Sequence, residues 1–291
     1  MNPCIQDFLR NDSKQLETAL QLDPSSARIE VQCLLQAVLQ VNRAWLITHA
    51  EQHLNDLQQA SYAALFKRRL RGEPIAYLLG EREFYGLTFK VSPATLIPRP
   101  ETELLIELAL QRTPQQGRFR VLDMGTGSGA IALSIAHTRS DAEVVAVDAS
   151  EAALAVARFN TQLLKLDNVL ILHSDWFSAL QDERFDIIVS NPPYVASSDV
   201  HLTQGDVRFE PRSALTSGAD GLEDIRHICV HAITHLDMNG WLLLEHGYDQ
   251  SEAVRSLLQQ SGFAEVFSAQ DLAGIERVSG GQLLAKRSIS R

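Results

Sequence analysis

The stretch Asn191-Pro192-Pro193-Tyr194 carries the most definite chemistry in this 291-residue chain. Each proline lacks an N–H and has a fixed φ. Each also holds its predecessor, here Asn191 and Pro192, in an extended conformation. The loop is therefore stiff and rich in acceptors: the side-chain oxygen of Asn191 and the carbonyl of Pro192. Two acceptors at fixed positions suit the two hydrogens of an –NH₂ group. An amide or aniline-like nitrogen is a poor nucleophile because its lone pair is delocalised. Holding both hydrogens aims the nitrogen at an incoming electrophile and stabilises the positive charge that grows on it. The alkylated nitrogen is itself a strong acid, so no strong base is needed. Tyr194 offers an aromatic face to the planar group.

A second stretch, Asp123-Met124-Gly125-Thr126-Gly127-Ser128-Gly129, runs into the apolar segment Ala130–Ala136. Glycines there let the backbone turn sharply and let a ligand lie against the main chain. The first amides of the following helix point into the same space. The spacing is GxGxG, not the GxGxxG of dinucleotide sites. Asp148 follows Gly129 by 19 residues, at the end of a strand pattern. A carboxylate there can accept both ribose hydroxyls of a nucleoside lying across the strand ends. Asp175-Trp176-Phe177 could flank an adenine, with Trp176 over its face. His227, His231 and His235 recur every four residues. No recognised metal-ligand spacing of Cys or carboxylates accompanies them, so they read as a polar helix face and no metal site is expected.

These loops need elements to hold them. Strand patterns appear at Arg120–Met124, Glu143–Asp148, Val169–His173, Phe185–Ser190, Trp241–Glu245 and Ala264–Ser268, with helices between most of them. Such alternation predicts an α/β fold, an open parallel sheet covered on both faces. The first and fourth strands should be neighbours at the switch point, bringing both loops to one crevice. A last strand around Gln282–Lys286 should run antiparallel, with Gly280-Gly281 as the hairpin turn before it. That places the Gly-Gly-Gln at Gly280–Gln282 in a structural role. Glu245 ends the fifth strand and is given none.

Upstream, residues 1–72 show only helical patterns and predict a small helical bundle. Ser25 or Ser26 can cap one helix and Asn42 another. A further helix, marked by Tyr62, Leu65, Phe66 and Leu70, ends at Gly72. Glu83–Val91 alternates around Gly86 and reads as a β-hairpin. Pro98-Arg99-Pro100-Glu101-Thr102-Glu103 is a helix start. The expected division is a helical substrate-recognition domain over 1–72, a linker with a β-hairpin over 73–100, and a catalytic domain over 101–291.

The net charge is −10. Residues 1–80 balance, with eight basic and eight acidic side chains, and residues 81–291 carry the whole deficit. An acidic catalytic part argues against a duplex-DNA footprint, so no direct DNA binding is expected. The run Lys67-Arg68-Arg69, with Arg71 beyond, reads as a solvated helix face. No apolar stretch is long enough for a membrane span. The start of the chain has no secretory pattern, and Cys4, Cys33 and Cys229 form no disulfide framework. Both point to the cytoplasm.

The glycine loop, Asp148 and Asn191–Tyr194 together resemble amino-group methyltransferases. Arg71-Gly72-Glu73-Pro74, Phe84-Tyr85-Gly86 and Ile97–Glu103 narrow this. With them the chain resembles the peptide chain release factor N5-glutamine methyltransferases, the PrmC/HemK family. The resemblance implies a seven-stranded, Rossmann-like class I methyltransferase domain behind a helical N-terminal domain. It implies S-adenosylmethionine as cofactor and class 1 release factors as partners. The substrate would be the glutamine of their Gly-Gly-Gln motif. Carried over by position, Gly125, Thr126, Gly127, Ser128, Gly129, Asp148, Trp176 and Asn191 would touch the cofactor. Asn191, Pro192, Pro193 and Tyr194 would hold the glutamine, with Asn191, Pro192 and Tyr194 catalytic. Two other readings use the same features. One is a nucleic-acid amino methyltransferase acting on adenine or guanine, which would need a basic groove. The other is a non-catalytic binding module, against which both intact halves of the crevice argue.

Overall fold

The computed structural model describes residues 3–114 and 116–284. They fall into two compact units: the residues up to Glu81 together with Val200–Phe209, and Arg82–Asp199 together with the residues from Glu210 onward.

The first unit is helical, with α1 (Ile5–Leu20), α2 (Pro24–Leu39), α3 (Arg43–Thr48), α4 (Asp56–Leu70) and α5 (Ile75–Leu79). Ile5, Leu9 and Leu16 of α1 meet Ala27, Val31, Leu34 and Leu35 of α2, and Tyr62 and Phe66 of α4. The apolar residues recur at three- and four-residue steps, which turns one stripe of each helix inward. Asn42 caps α3 as expected, its side-chain oxygen accepting from the Trp45 amide at 2.9 Å. Ser25 and Ser26 do not cap α2. The cap is Asp23, whose Oδ1 accepts from both the Ser25 and the Ser26 amides at 3.0 Å. A carboxylate at that position also meets the positive end of the helix dipole.

The basic run at the end of α4 is not all solvated. Arg69 lies three and seven residues beyond Phe66 and Tyr62, hence on the buried face of the helix, and only 2% of it is exposed. Its guanidinium donates twice to Glu30, at 2.6 and 3.0 Å, and once each to Asp206 and the Glu73 carbonyl, at 3.0 and 3.1 Å. A buried guanidinium needs partners of this kind. Asp206 belongs to Val200–Phe209, which is why that segment groups with the helices.

The hairpin β1 (Glu81–Phe84) and β2 (Leu87–Lys90) belongs, except for Glu81, to the second unit. Tyr85 and Gly86 between them both have positive φ, 52° and 74°, as a type I′ turn requires. The sheet follows: β3 (Phe119–Met124), β4 (Ala142–Asp148), β5 (Val169–His173), β6 (Phe185–Ser190), β7 (Leu236–Glu245), β8 (Ala264–Gln270) and β9 (Glu276–Gln282). These seven strands lie in the order β5-β4-β3-β6-β7-β9-β8. β3 and β6 are parallel neighbours, as expected for the switch point. Phe119 and Val121 of β3 pack into one core with α6 (Glu103–Gln111) and α7 (Ala130–Thr138). Leu122 and Met124 enter the opposite core with α9 (Glu223–His235) and α10 (Ser251–Gln260). Burial on both faces explains the near-continuous apolar strands.

The last strand runs antiparallel as expected but lies earlier, at Glu276–Gln282. Residues 285 and 286 of the predicted strand lie outside the described residues. Gly280-Gly281 is not a turn; both glycines pair within β9, opposite Leu243 and Leu242 of β7. A Cβ at Gly280 would sit 2.5 Å from the Leu243 side chain, and one at Gly281 would sit 2.7 Å from Phe263. Large neighbours from β7 and β8 already fill the space a side chain would need. The turn is instead Asp271–Ile275, where Asp271 Oδ1 accepts from the amides of Ala273 and Ile275 at 2.9 and 3.0 Å. No helix of the described residues is long and apolar enough to cross a membrane.

Candidate active site

At the carboxyl ends of β3, β4 and β6 the second unit holds a cavity of about 390 Å³, within the range of small-molecule sites. Gly125, Thr126, Gly127, Ser128, Asp148, Trp176, Asn191 and Pro193 line it. The structure thus brings the glycine loop and the Asn-Pro-Pro-Tyr loop to one crevice. Gly129, Pro192 and Tyr194 are not among the lining residues.

Backbone bonds shape the glycine loop. The amides of Gly125 and Thr126 both donate to the Val147 carbonyl of β4 at 2.9 Å. Gly127 has φ +57°, and nothing lies within 4 Å of where its Cβ would be. That empty, left-handed position is a cradle which any other residue would strain and partly fill. Gly129 serves differently: its Cβ would press on Leu133 at 2.9 Å, so it permits close packing of α7. From outside, Asn160 of α8 (Glu151–Leu164) donates to the carbonyls of Ser128 and Lys90 at 2.8 and 3.0 Å.

Asp148 leaves β4 pointing at the loop. Its Oδ2 accepts from the Gly127 amide at 2.9 Å and its Oδ1 from the Ser150 amide at 2.8 Å. Each oxygen keeps lone-pair capacity for a further donor, such as a ribose hydroxyl. The Trp176 ring comes to 4.0 Å of the Cβ position of Gly125. Trp176 itself adopts φ 48°, a left-handed conformation rare for a bulky residue, and its carbonyl accepts from the Ser174 hydroxyl at 2.7 Å. His235 stacks on Phe177 with ring centroids 4.6 Å apart, and His227 and His231 lie 4.4 Å apart on the same helix.

Sequence reasoning gave Asp123 no role of its own. It is fully buried; Oδ2 accepts from Thr126 Oγ1 at 2.6 Å and from the Ala132 amide at 3.2 Å. Its Oδ1 has no partner among the described residues. Burial pushes its pKa up to about 7. Because this folded value lies above the unfolded one, the native state holds a proton that the unfolded chain releases between about pH 4 and 7. Stability from this group is therefore greatest below that window and declines as pH rises through it. Asp123→Asn is expected to remove about 1–2 kcal/mol of the stability difference between pH 5.5 and 7.5. Paired thermal or urea unfolding of the two proteins measures this, and equal pH slopes would refute it.

The Asn-Pro-Pro-Tyr loop is fixed from behind. Ser190 Oγ donates to the Met124 carbonyl at 2.7 Å, joining β6 to β3. Asn191 Nδ2 donates to Thr102 Oγ1 at 3.3 Å. Gln250 Nε2 donates to the Tyr194 carbonyl at 3.0 Å. The Tyr194 hydroxyl donates to Glu245 Oε1 at 3.4 Å, and burial raises the pKa of the phenol. Among the charged lining residues, Asp148, Asp175 and Asp224 are acidic. The basic one, Arg99, is ion-paired to the buried Glu210. An acidic, partly apolar pocket with a bare glycine turn fits a cationic nucleoside. Thr102, Glu245 and Gln250 escaped the sequence reading of the site. The signal available for Thr102 was its place in Ile97–Glu103, and for Glu245 a carboxylate closing an apolar strand.

Comparison with known proteins agrees with this geometry. The PrmC N-terminal domain model matches residues 9–80, and the methyltransferase small domain model matches residues 100–214. A 16S rRNA N2 G1207 methyltransferase from T. thermophilus, solved with AdoMet and guanosine, superposes with a TM-score of 0.52 at 25% identity, over 69% of this chain and 49% of that one. A methyltransferase from Pyrococcus furiosus shares the fold, with a TM-score of 0.53 at 19% identity, over 75% of this chain and 98% of that one. Fold and site together define a Rossmann-like methyltransferase that uses S-adenosylmethionine. Among curated relatives, the release factor glutamine methyltransferase of Salmonella typhimurium is 50% identical over 89% of this chain and 94% of its own length. That of Burkholderia pseudomallei is 52% identical over 92% and 95%, and that of Escherichia coli 46% over 95% and 98%. The chain belongs to the release factor glutamine methyltransferase family.

Proposed function

We propose that this protein methylates the side-chain amide nitrogen of the glutamine in the Gly-Gly-Gln motif of class 1 peptide chain release factors, in the cytoplasm. The observation that carries this reading is the direction of the Asn191 amide. Its Nδ2 is tied to Thr102, which leaves Oδ1 as an acceptor beside the cavity that the glycine loop also lines.

S-adenosylmethionine supplies an electrophilic methyl group on a sulfonium. Gly125, Thr126, Gly127 and Ser128 would give it a bare backbone surface, Asp148 would take the ribose hydroxyls, and Trp176 would cover the base. Gly129 keeps the loop close to α7. The Asn191 oxygen and the Pro192 carbonyl each accept one hydrogen of the glutamine –NH₂. Pro193 and Tyr194 form a stiff wall beside the planar amide. The nitrogen gains the methyl group and sheds one proton, and no side chain need act as a strong base. The helical unit recognises the body of the release factor.

Methyl transfer to a purified release factor, and none to RNA or DNA, tests the reading. A free Gly-Gly-Gln peptide is expected to react with kcat/KM at least about tenfold below that of the intact factor, because it lacks the surface the helices bind. Equal values would remove the recognition role of the helical unit. Methylation of RNA or DNA in place of the factor would overturn the substrate.

A further inference from the structure

Gly221 makes room for a contact behind the Asn-Pro-Pro-Tyr loop. It has φ +76°, and a Cβ there would sit 2.3 Å from the Tyr194 carbonyl oxygen and 2.9 Å from Gln250 Nε2. With no Cβ in the way, Gln250 Nε2 donates to that carbonyl at 3.0 Å. Gln250 Oε1 accepts from the Gly247 amide at 2.8 Å. Together the two bonds decide which way round the Gln250 amide lies. A flipped amide would set oxygen against oxygen and –NH₂ against N–H.

Gly247 is fixed in its turn. Its carbonyl lies 2.9 Å from Nδ1 of the fully buried His246, whose Nε2 lies 2.8 Å from Ser279 Oγ. A carbonyl only accepts, so Nδ1 carries a proton. Burial lowers the His246 pKa, which favours the neutral ring and leaves Nε2 an acceptor. Ser279 then donates to Nε2 and accepts from Ser268 Oγ at 2.7 Å. Ser268 in turn accepts from Arg255 Nη1 at 2.6 Å. The donors all point one way, from Arg255 to the Gly247 carbonyl, and leave Gly247 no alternative arrangement in which to release Gln250.

We propose that Gln250 is a positioning residue for methyl transfer, because its hold on the Tyr194 carbonyl fixes the end of the Asn-Pro-Pro-Tyr loop that the prolines leave free. This rests on the reading of that loop as the holder of the glutamine amide. A proline fixes its own φ and restricts the residue before it. Pro192 and Pro193 therefore stiffen the loop from Asn191 onward, but neither restrains ψ of Pro193 or either dihedral of Tyr194. Those angles set where the tyrosine ring stands relative to the Asn191 and Pro192 acceptors. The restraint has to come from outside the loop. The peptide plane between Tyr194 and Val195 is gripped at both edges, its carbonyl by Gln250 and its N–H by the Leu215 carbonyl at 2.8 Å. A plane held at both edges cannot swing, and the ring ahead of it keeps its place.

Gln250→Glu isolates this contact. It keeps the size of the side chain and the acceptor for the Gly247 amide, but turns an oxygen on the Tyr194 carbonyl. The fold should survive, because a carboxylate at the start of α10 meets the positive end of the helix dipole. Two measurements on the full-length protein test the proposal. In the first, single-turnover methylation of a release factor at saturating concentrations is compared with calorimetric binding of the factor and of S-adenosylmethionine. The rate is expected to fall at least about tenfold while both affinities move less than about twofold. In the second, amide hydrogen exchange at Val195 is followed without substrate. It is expected to be at least about tenfold faster in the variant, since the peptide has lost one of its two grips. Gln250→Met, which offers no donor and adds no charge, should show both changes as well. A folded Gln250→Glu protein with a near-wild-type rate would overturn the proposal, as would a loss confined to binding. So would unchanged exchange at Val195 in both variants. Should the wild type methylate no release factor, the functional reading fails, while the exchange experiment still reports whether Gln250 holds the loop.

Discussion

Asn191→Ala is expected to lower the single-turnover rate of glutamine methylation by about 10²–10³, with a much smaller effect on binding of the release factor. In the proposed mechanism the Asn191 oxygen meets one hydrogen of the target –NH₂, and that contact strengthens as positive charge builds on the nitrogen. Its contribution belongs mainly to the transition state, so the loss falls on turnover. Asn191→Asp does not restore it. Asp would place an acceptor oxygen against Thr102 Oγ1, where the Asn191 –NH₂ now donates. The Thr102 hydroxyl would have to reverse and donate, and a full negative charge would replace the neutral amide beside the cavity. Single-turnover assays with affinity measured separately decide the matter. A near-normal rate for Asn191→Ala would take the loop out of the mechanism.

Asp148→Ala is expected to weaken S-adenosylmethionine binding by about 10- to 100-fold, or roughly 1.5–3 kcal/mol. Two losses combine. In the proposed binding mode the ribose loses its acceptors, and the Gly127 and Ser150 amides lose the carboxylate that fixes them. Asp148→Asn separates them, because it keeps one acceptor oxygen but turns an –NH₂ toward one of the two amides. It should fall between wild type and alanine. Calorimetric titration of the folded variants checks the order, and unchanged affinity in Asp148→Ala would end the ribose assignment.

The parts of this site that could be read from the chain are those whose geometry is local. Gly125–Gly129 and Asn191–Tyr194 announce themselves because glycine and proline restrict their own backbone. Placing the two loops together needed only the rule that such sheets reverse at the switch point, and β3 and β6 are neighbours. What escaped depends on contacts distant in sequence. Thr102 meets Asn191 across 89 residues, and Tyr194 meets Glu245 across 51. Neither pair leaves a local pattern. Arg69 read as solvent-facing because its neighbours are charged, although helical spacing from Phe66 turns it inward. The glycines of β9 misled in the opposite way. Gly-Gly favours turns in isolation, but here Leu243, Phe263 and Phe267 occupy the side-chain space. Asp23 outdid Ser25 as a cap through a preference too small to see in the apolar period alone.

The bond from Arg69 to Asp206 spans 137 residues, and this gives the helical unit a history as well as a shape. On the ribosome its helices emerge long before its last segment. At about 5–20 residues per second, Arg69 waits roughly 7–30 s for its second carboxylate. Through that interval Glu30 alone must neutralise the guanidinium. The unit is also discontinuous in the gene. A chimera that exchanges residues 1–81 between relatives carries over Arg69 and Glu30 but leaves the resident Val200–Phe209 behind. Exchanging the whole helical unit between one member of the family and another therefore calls for two exchanged stretches of DNA, one that encodes the helices and a short one that encodes Val200–Phe209.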